Sequence, residues 1–246
     1  MPNQIFYRFG SNTSCNIVGV CTEGAKHITT KDGQKRTRLV LTTRQTYTQG
    51  EEQRTTEQRV TVFQIGHLDV PAGAVVSVEG KIGVAVVSPA SDSQKYPISQ
   101  LVIREAQTEV ICSQAAEGFL GMNAATLTGT IGSVREITRK NGGDPMVAVS
   151  LAVDRNVNKQ SETDWHEILL FGHNAENAKK YLGKGDVVLF SGRLNLRSTK
   201  VNGADRELLA FAATGYNTMH RKTAGAASKP AAGNTEPMPD DDIPMI

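Results

Sequence analysis

A chain of 246 residues with 39% hydrophobic content can build one large core or two ordinary ones, since domains usually run to about 100 to 150 residues. Its 27 Lys and Arg stand against 25 Asp and Glu, which excludes a strongly basic protein held to a polyanion by overall charge. MPNQIFYRFG at the start lacks a basic region followed by an apolar run, and no stretch is long enough to cross a bilayer, so a cytoplasmic protein without a membrane partner is expected.

Taken in order, the elements occur twice. Asn16 to Val20, NIVGV, corresponds to Thr126 to Thr130, TLTGT, each an alternating strand whose interior glycine suggests a sharp bend. ITTKDGQKRTRLVLTTRQ from Ile28 corresponds to ITRKNGGDPMVAVSLAVDR from Ile137, each a polar Gly-containing turn between two strands. VTVFQIG, ending at Gly66, matches EILLFG, ending at Gly172; AGAVVSVEGKI from Ala72 matches KGDVVLFSGRL from Lys184. YPISQLVIREAQTEV and DRELLAFAATGYNTM close the halves with a long strand each.

Each half therefore reads as about five strands, the order of an OB-fold barrel. Only the second half has a helical stretch between its third and fourth strands, HNAENAKKYL from His173 to Leu182. In the first half HLDVPAG is too short for more than a turn of helix, so that barrel's base must be covered some other way. The fold class expected is all-β with one short helix: OB-fold barrels at 1–116 and 122–219, then a tail at 220–246. After Met219 the chain is rich in Ala, Gly, Pro and polar residues without aromatics, a composition that cannot offset the entropy of ordering.

Surfaces that hold unpaired nucleic acid combine cations for phosphates with aromatic faces for bases. The second half offers Trp165 and Phe171 on its third strand, with Arg139, Lys140, Arg155, Lys159, Lys184, Arg193, Arg197 and Lys200 on or beside its hairpins. Period-two geometry puts Trp165, Glu167, Leu169 and Phe171 on one face. A buried tryptophan and phenylalanine serving only the core is the competing reading. The first half offers Tyr47 and Phe63, with Lys31, Lys35, Arg36, Arg38, Arg44, Arg54 and Arg59 around them; a merely solvated face is the alternative there.

The tail ends with Asp240, Asp241 and Asp242 before Ile243, Pro244, Met245 and Ile246. An acidic cluster ahead of an apolar terminus suits capture by a partner with a basic rim and an apolar pocket. Cys15, Cys21 and Cys112 form no CxxC pair and have no histidine at ligand spacing, and the five histidines are dispersed. No phosphate loop, HExxH or GxSxG is present. Neither catalysis, nor a metal, nor a cofactor is expected.

From about Met122 to Met219 the chain resembles the bacterial single-stranded DNA-binding protein family. MNAATLTGTIG, SLAVDRN, WHEILLFG, AENAKKYLGKGD and FSGRL follow that family's order, and DDDIP is its C-terminal hallmark. The resemblance implies that Trp165 and Phe171 stack on bases, that Lys184 and Arg197 line the DNA path, and that His166 sits at a subunit interface. Val157 and Thr199 stand where the family commonly has tryptophan, and the chain ends in Pro-Met-Ile where the family has Pro-Phe. In the first half Arg59 occupies the Trp165 place. By the same likeness a homodimer carrying four barrels is expected, wrapped by DNA in a salt-dependent complex.

The function expected is sequence-tolerant protection of single-stranded DNA in replication, recombination and repair, with partner proteins recruited through the tip and the protein found at the nucleoid. The alternative is an OB-fold adaptor of weak DNA affinity that serves mainly as a protein-interaction platform.

Overall fold

The computed structural model describes residues 11–30, 33–49, 52–88, 98–138, 145–157, 160–201 and 204–222. The first repeat contributes β1 (Asn12–Cys21), β2 (Lys26–Thr29), β3 (Lys35–Gln49), β4 (Glu52–Ile65), β5 (Val75–Ser88) and β6 (Ile98–Cys112). The second contributes β7 (Met122–Ile137), β8 (Met146–Val157), β9 (Gln160–Phe171), α1 (Gly172–Tyr181), β10 (Val187–Val201) and β11 (Ala204–His220).

Each repeat closes on itself. In the first the pairing runs β1-β5-β6-β4-β3 and back to β1, with β4 and β6 parallel. In the second it runs β7-β8-β9-β11-β10 and back to β7. These are two OB-fold barrels, as the repeated strand pattern indicates, closed by the β1–β3 and β10–β7 pairings, while β2 adds to β3 at the end of the sheet order.

The opening strands show how alternation dictates this. In β1, Thr13, Cys15, Ile17, Gly19 and Cys21 point inward; in β7, Asn123, Ala125, Leu127, Gly129 and Ile131 do. Both first inward residues are polar, and each clamps the fourth barrel strand. Thr13 Oγ1 donates to Ile82 O at 3.1 Å and accepts from Ile82 N–H at 3.0 Å. Asn123 Nδ2 donates to Leu194 O at 2.7 Å, while Leu194 N–H donates to Asn123 Oδ1 at 3.0 Å.

The interior glycines mark where the strands cross closely: a Cβ on Gly19 would lie 2.9 Å from Thr42 O, and one on Gly129 would strike Ala152 O. Matching turns complete the parallel. Gly73 N–H donates to Cys21 O and Cys21 N–H to Ala74 O; Gly185 N–H donates to Ile131 O and Ile131 N–H to Asp186 O, all at 2.8 Å.

The cores are apolar, with Ile17, Leu39, Leu41 and Ile103 fully buried in one barrel and Leu127, Ile131, Ile168, Leu170 and Phe190 in the other. Each contributes about 1.5 to 3 kcal/mol relative to exposure. Cys15 and Cys21 are buried and Cys112 is exposed. Burial pushes the Cys15 thiol up to about 12, against the smaller opposing effect of its bond to Gly80 O, so it packs as a neutral group.

The repeats differ in two places. The first has six strands rather than five, because Thr22–Ala25 interrupt the opening strand before β2 pairs with β3. In the second, β7 runs through the same point with only a register shift between Ile131 and Ser133. The bases are also sealed differently. In the second repeat α1 buries Ala175 and Ala178, followed by Leu182.

The first repeat has no helix there, as the short HLDVPAG segment implies. Its loop inserts Val70 and is stapled by the fully buried Thr37, whose hydroxyl donates to Gly66 O and accepts from Leu68 N–H, both at 2.9 Å. Ala25 N–H adds a bond to Val70 O at 2.8 Å, and the His27 and His67 rings stack with centroids 4.3 Å apart.

By contacts the chain forms two compact units. The larger joins Thr13–Thr126 to Ser191–Ala212; the smaller is built on Leu127–Phe190 and the described residues that follow Ala212. Within the larger unit the buried Gln58 accepts from Leu196 N–H at 2.6 Å. Among the described residues no helix is long and apolar enough to cross a membrane.

Candidate nucleic-acid interface

Strand β9 sorts its side chains by period two. His166, Ile168 and Leu170 face the interior and are 1%, 0% and 0% exposed. Trp165, Glu167, Leu169 and Phe171 lie on the outer face, where Trp165, Glu167 and Phe171 are half-buried and Leu169 is covered.

Trp165 sits there because β7 makes room. A Cβ on Gly132 would come 2.6 Å from Cζ3 and 3.1 Å from Cη2 of the indole, so the ring occupies the space a side chain at 132 would need. Opposite on β8 the partners are small: Ala152 faces Trp165, Ser150 faces Glu167 and Ala148 faces Leu169. The result is a ring supported by main chain, rising from a surface without bulky neighbours on the β8 side. The sequence carried a signal for this seat, a second glycine three residues after Gly129, but the reading of strand bends did not use it.

Several of the charges selected from the sequence are paired. Arg155 contacts Glu162 and also Asp164, the latter at 3.1 Å, so its one positive charge is shared by two carboxylates beside the start of the Trp165 face. Glu167 is matched by Arg135 at 3.7 Å. In the first barrel Arg44 and Arg59 share Glu57 at 3.3 and 3.8 Å, and Arg54 reaches Glu52 at 3.2 Å. Glu23 is held below the ordinary carboxylate range chiefly by its hydrogen bond to Lys26, with smaller pulls from Arg38 and Arg59. Lys35 is exposed, and Arg36 is half-buried and donates to Gln34 Oε1 at 3.0 Å.

On the second barrel Lys184 is exposed, and Arg193 and Arg197 are half-buried on β10. Phe63 is half-buried on β4, across from Arg38. Tyr47 and Lys200 lie on β3 and β10, but their side chains are outside the described residues, as are Lys31, Arg139, Lys140, Lys159 and the tip from Asp240 to Ile246. The structure thus gathers Trp165, Phe171 and Arg155 on or beside one strand, and Lys184 on the turn after α1.

Residues 122–214 match the single-strand binding protein family. The matched stretch holds Trp165, His166, Phe171, Lys184 and Arg197. The crystal structure of the wild-type single-stranded DNA binding protein from Thermus aquaticus is similar to this chain with a TM-score of 0.65 at 20% identity, covering 89% of this chain and 98% of that one. A deletion variant of the same Thermus aquaticus protein gives 0.66 at 19% identity, covering 89% and 99%. At these identities the likeness is one of fold, and it extends over both repeats.

Proposed function

We propose that this chain binds single-stranded DNA without sequence preference. The observation that carries the reading is the half-buried Trp165 indole, seated on Gly132 and facing outward on a strand that also presents Phe171. A supported ring of this kind loses little conformational freedom when a base stacks on it, and each stack contributes about 1 to 3 kcal/mol. The match of residues 122–214 to the single-strand binding protein family supports the same reading.

The finer proposal is that the protein shields DNA during replication, recombination and repair, and that Asp240–Ile246 recruits partner proteins at those sites. It also includes assembly as a homodimer, which would bring four barrels to one strand. His166, buried within a single chain, would take part in such an interface only through the strand that carries it.

A second reading has an observation in its favour. Arg44, Arg54, Arg59 and Arg155 are each engaged with carboxylates, which suits an adaptor whose barrels hold DNA weakly. Titration of the intrinsic tryptophan fluorescence with oligo-dT at several salt concentrations separates the two. The DNA binder gives deep quenching whose midpoint moves strongly with salt. Little change in emission at any salt would sink it in favour of the adaptor.

A further inference from the structure

In the smaller unit a cluster of unpaired cations stands where α1 stops and β11 leaves the barrel. Lys222 N–H donates to Asp186 Oδ1 at 3.0 Å. Its side chain crosses Gly185 so closely that a Cβ there would lie 2.6 Å from Lys222 Cδ. Lys184 is the neighbour of that glycine, exposed on the turn after the helix. Across the same end, Lys180 Nζ lies 4.8 Å from the centre of the Tyr181 ring, and that tyrosine is 47% exposed.

Tyr216 joins this group from β11, its ring centroid 6.0 Å from that of Phe190. Burial first, and Tyr181 second, raise the Tyr216 phenol above its ordinary range, while Arg221, next in sequence to Lys222, pulls it back.

The carboxylate in this cluster is already engaged. Asp186 is 7% exposed and accepts from Gly183 N–H and Lys222 N–H. Lys180, Lys184, Arg221 and Lys222 have no acidic partner within ion-pair distance among the described residues, whereas Lys179 contacts Glu136. Basic residues at a helix C-terminus complement the macrodipole, which accounts for Lys179 and Lys180. It does not account for Lys184, Arg221 and Lys222 on other elements.

Unpaired cations around an exposed ring are what a strand of phosphates and bases requires, and this surface lies on different elements from the Trp165 seat. We propose that Lys180, Tyr181, Lys184, Arg221 and Lys222 form a second contact surface for single-stranded DNA, the cations meeting phosphates and Tyr181 receiving a base. The proposal rests on the reading of the chain as a single-stranded DNA binder and extends the strand's path to the helix end of the second barrel.

The test uses the full chain carrying Lys180→Ala, Arg221→Ala and Lys222→Ala together. Three lost phosphate contacts should lower the magnitude of the slope of log affinity against log salt by about 2 on a long dT oligomer. On an oligomer too short to leave the Trp165 face the slope should hold, and quenching of Trp165 at saturation should persist on both. Tyr181→Ala should weaken the long oligomer at least about fivefold, with Tyr181→Phe restoring it.

An unchanged slope on the long oligomer overturns the surface. So does tighter binding by the triple variant matching that of the chain cut before Asp240, since the acidic tip would then be the occupant. Failure of the underlying reading looks different: the parent protein itself would show no quenching of Trp165, whatever the triple variant did.

Discussion

The two barrels keep the same scaffold and place different chemistry on their third strands. On the outer face of β9 stand Trp165, Glu167, Leu169 and Phe171; at the matching places on β4 stand Arg59, Thr61, Phe63 and Ile65. Under the indole the second barrel has Gly132, where the first has Thr22, whose N–H and hydroxyl both bond Val40 O. The interior is kept with equal care in both, down to a buried polar residue clamping the fourth strand. What the difference teaches is that barrel closure and ligand chemistry are separable: residues that point inward are held by packing, while the alternate residues are free to change without loss of the fold.

The sharpest way to break that contrast is to remove the residue at the same place in each barrel. Trp165→Ala should weaken oligo-dT binding by about 1 to 3 kcal/mol, up to roughly a hundredfold. Arg59→Ala should change it less than about twofold, because its charge is already shared with Glu57. Equal losses, read by fluorescence anisotropy of labelled oligo-dT, would mean that both third strands face the DNA.

A smaller effect sharpens the role of the seat. Gly132→Val should displace the indole and cost about 1 to 3 kcal/mol of stability through overpacking. It should also weaken DNA binding by roughly tenfold, less than the full stack is worth; urea denaturation and the same anisotropy titration read the two quantities. Unaltered affinity would show that the ring does not depend on its support.

Smallest of all is the effect on salt dependence. Lys184→Ala should lower the slope's magnitude by about 0.7, one phosphate contact, while Arg44→Ala, whose guanidinium rests on Glu57, should leave it nearly unchanged. A drop of the same size for Arg44 would move the first barrel onto the DNA path.

The strand order was legible because the repeated glycines and turns mark the barrel bends twice over, and the helix at 172–181 because a polar, alanine-bearing stretch interrupts period-two alternation only in the second half. The added strand β2 was not, since KHIT carries no more pattern than a turn. Charge pairing was also hidden. Arg44 lies directly across from Glu57 and Arg155 across from Glu162, yet a count of basic residues along a strand takes no account of its partner. Only the register, fixed by the hairpin turn, converts an arginine from a free cation into half of an ion pair. The surface around Tyr181 escaped for a related reason: its cations come from the end of α1 and the turn after it, and from the segment that follows β11, which Gly185 and Lys222 bring together in space though they are distant in sequence.

The Thr37 staple beneath the first barrel has a consequence for redesign. Because the seven residues of HLDVPAG seal that base where the second barrel has a ten-residue helix, the first barrel has no segment to carry counterparts of Lys180 and Tyr181. One substitution suffices to place an aromatic ring at position 59, whereas a helix end at this corner takes an insertion.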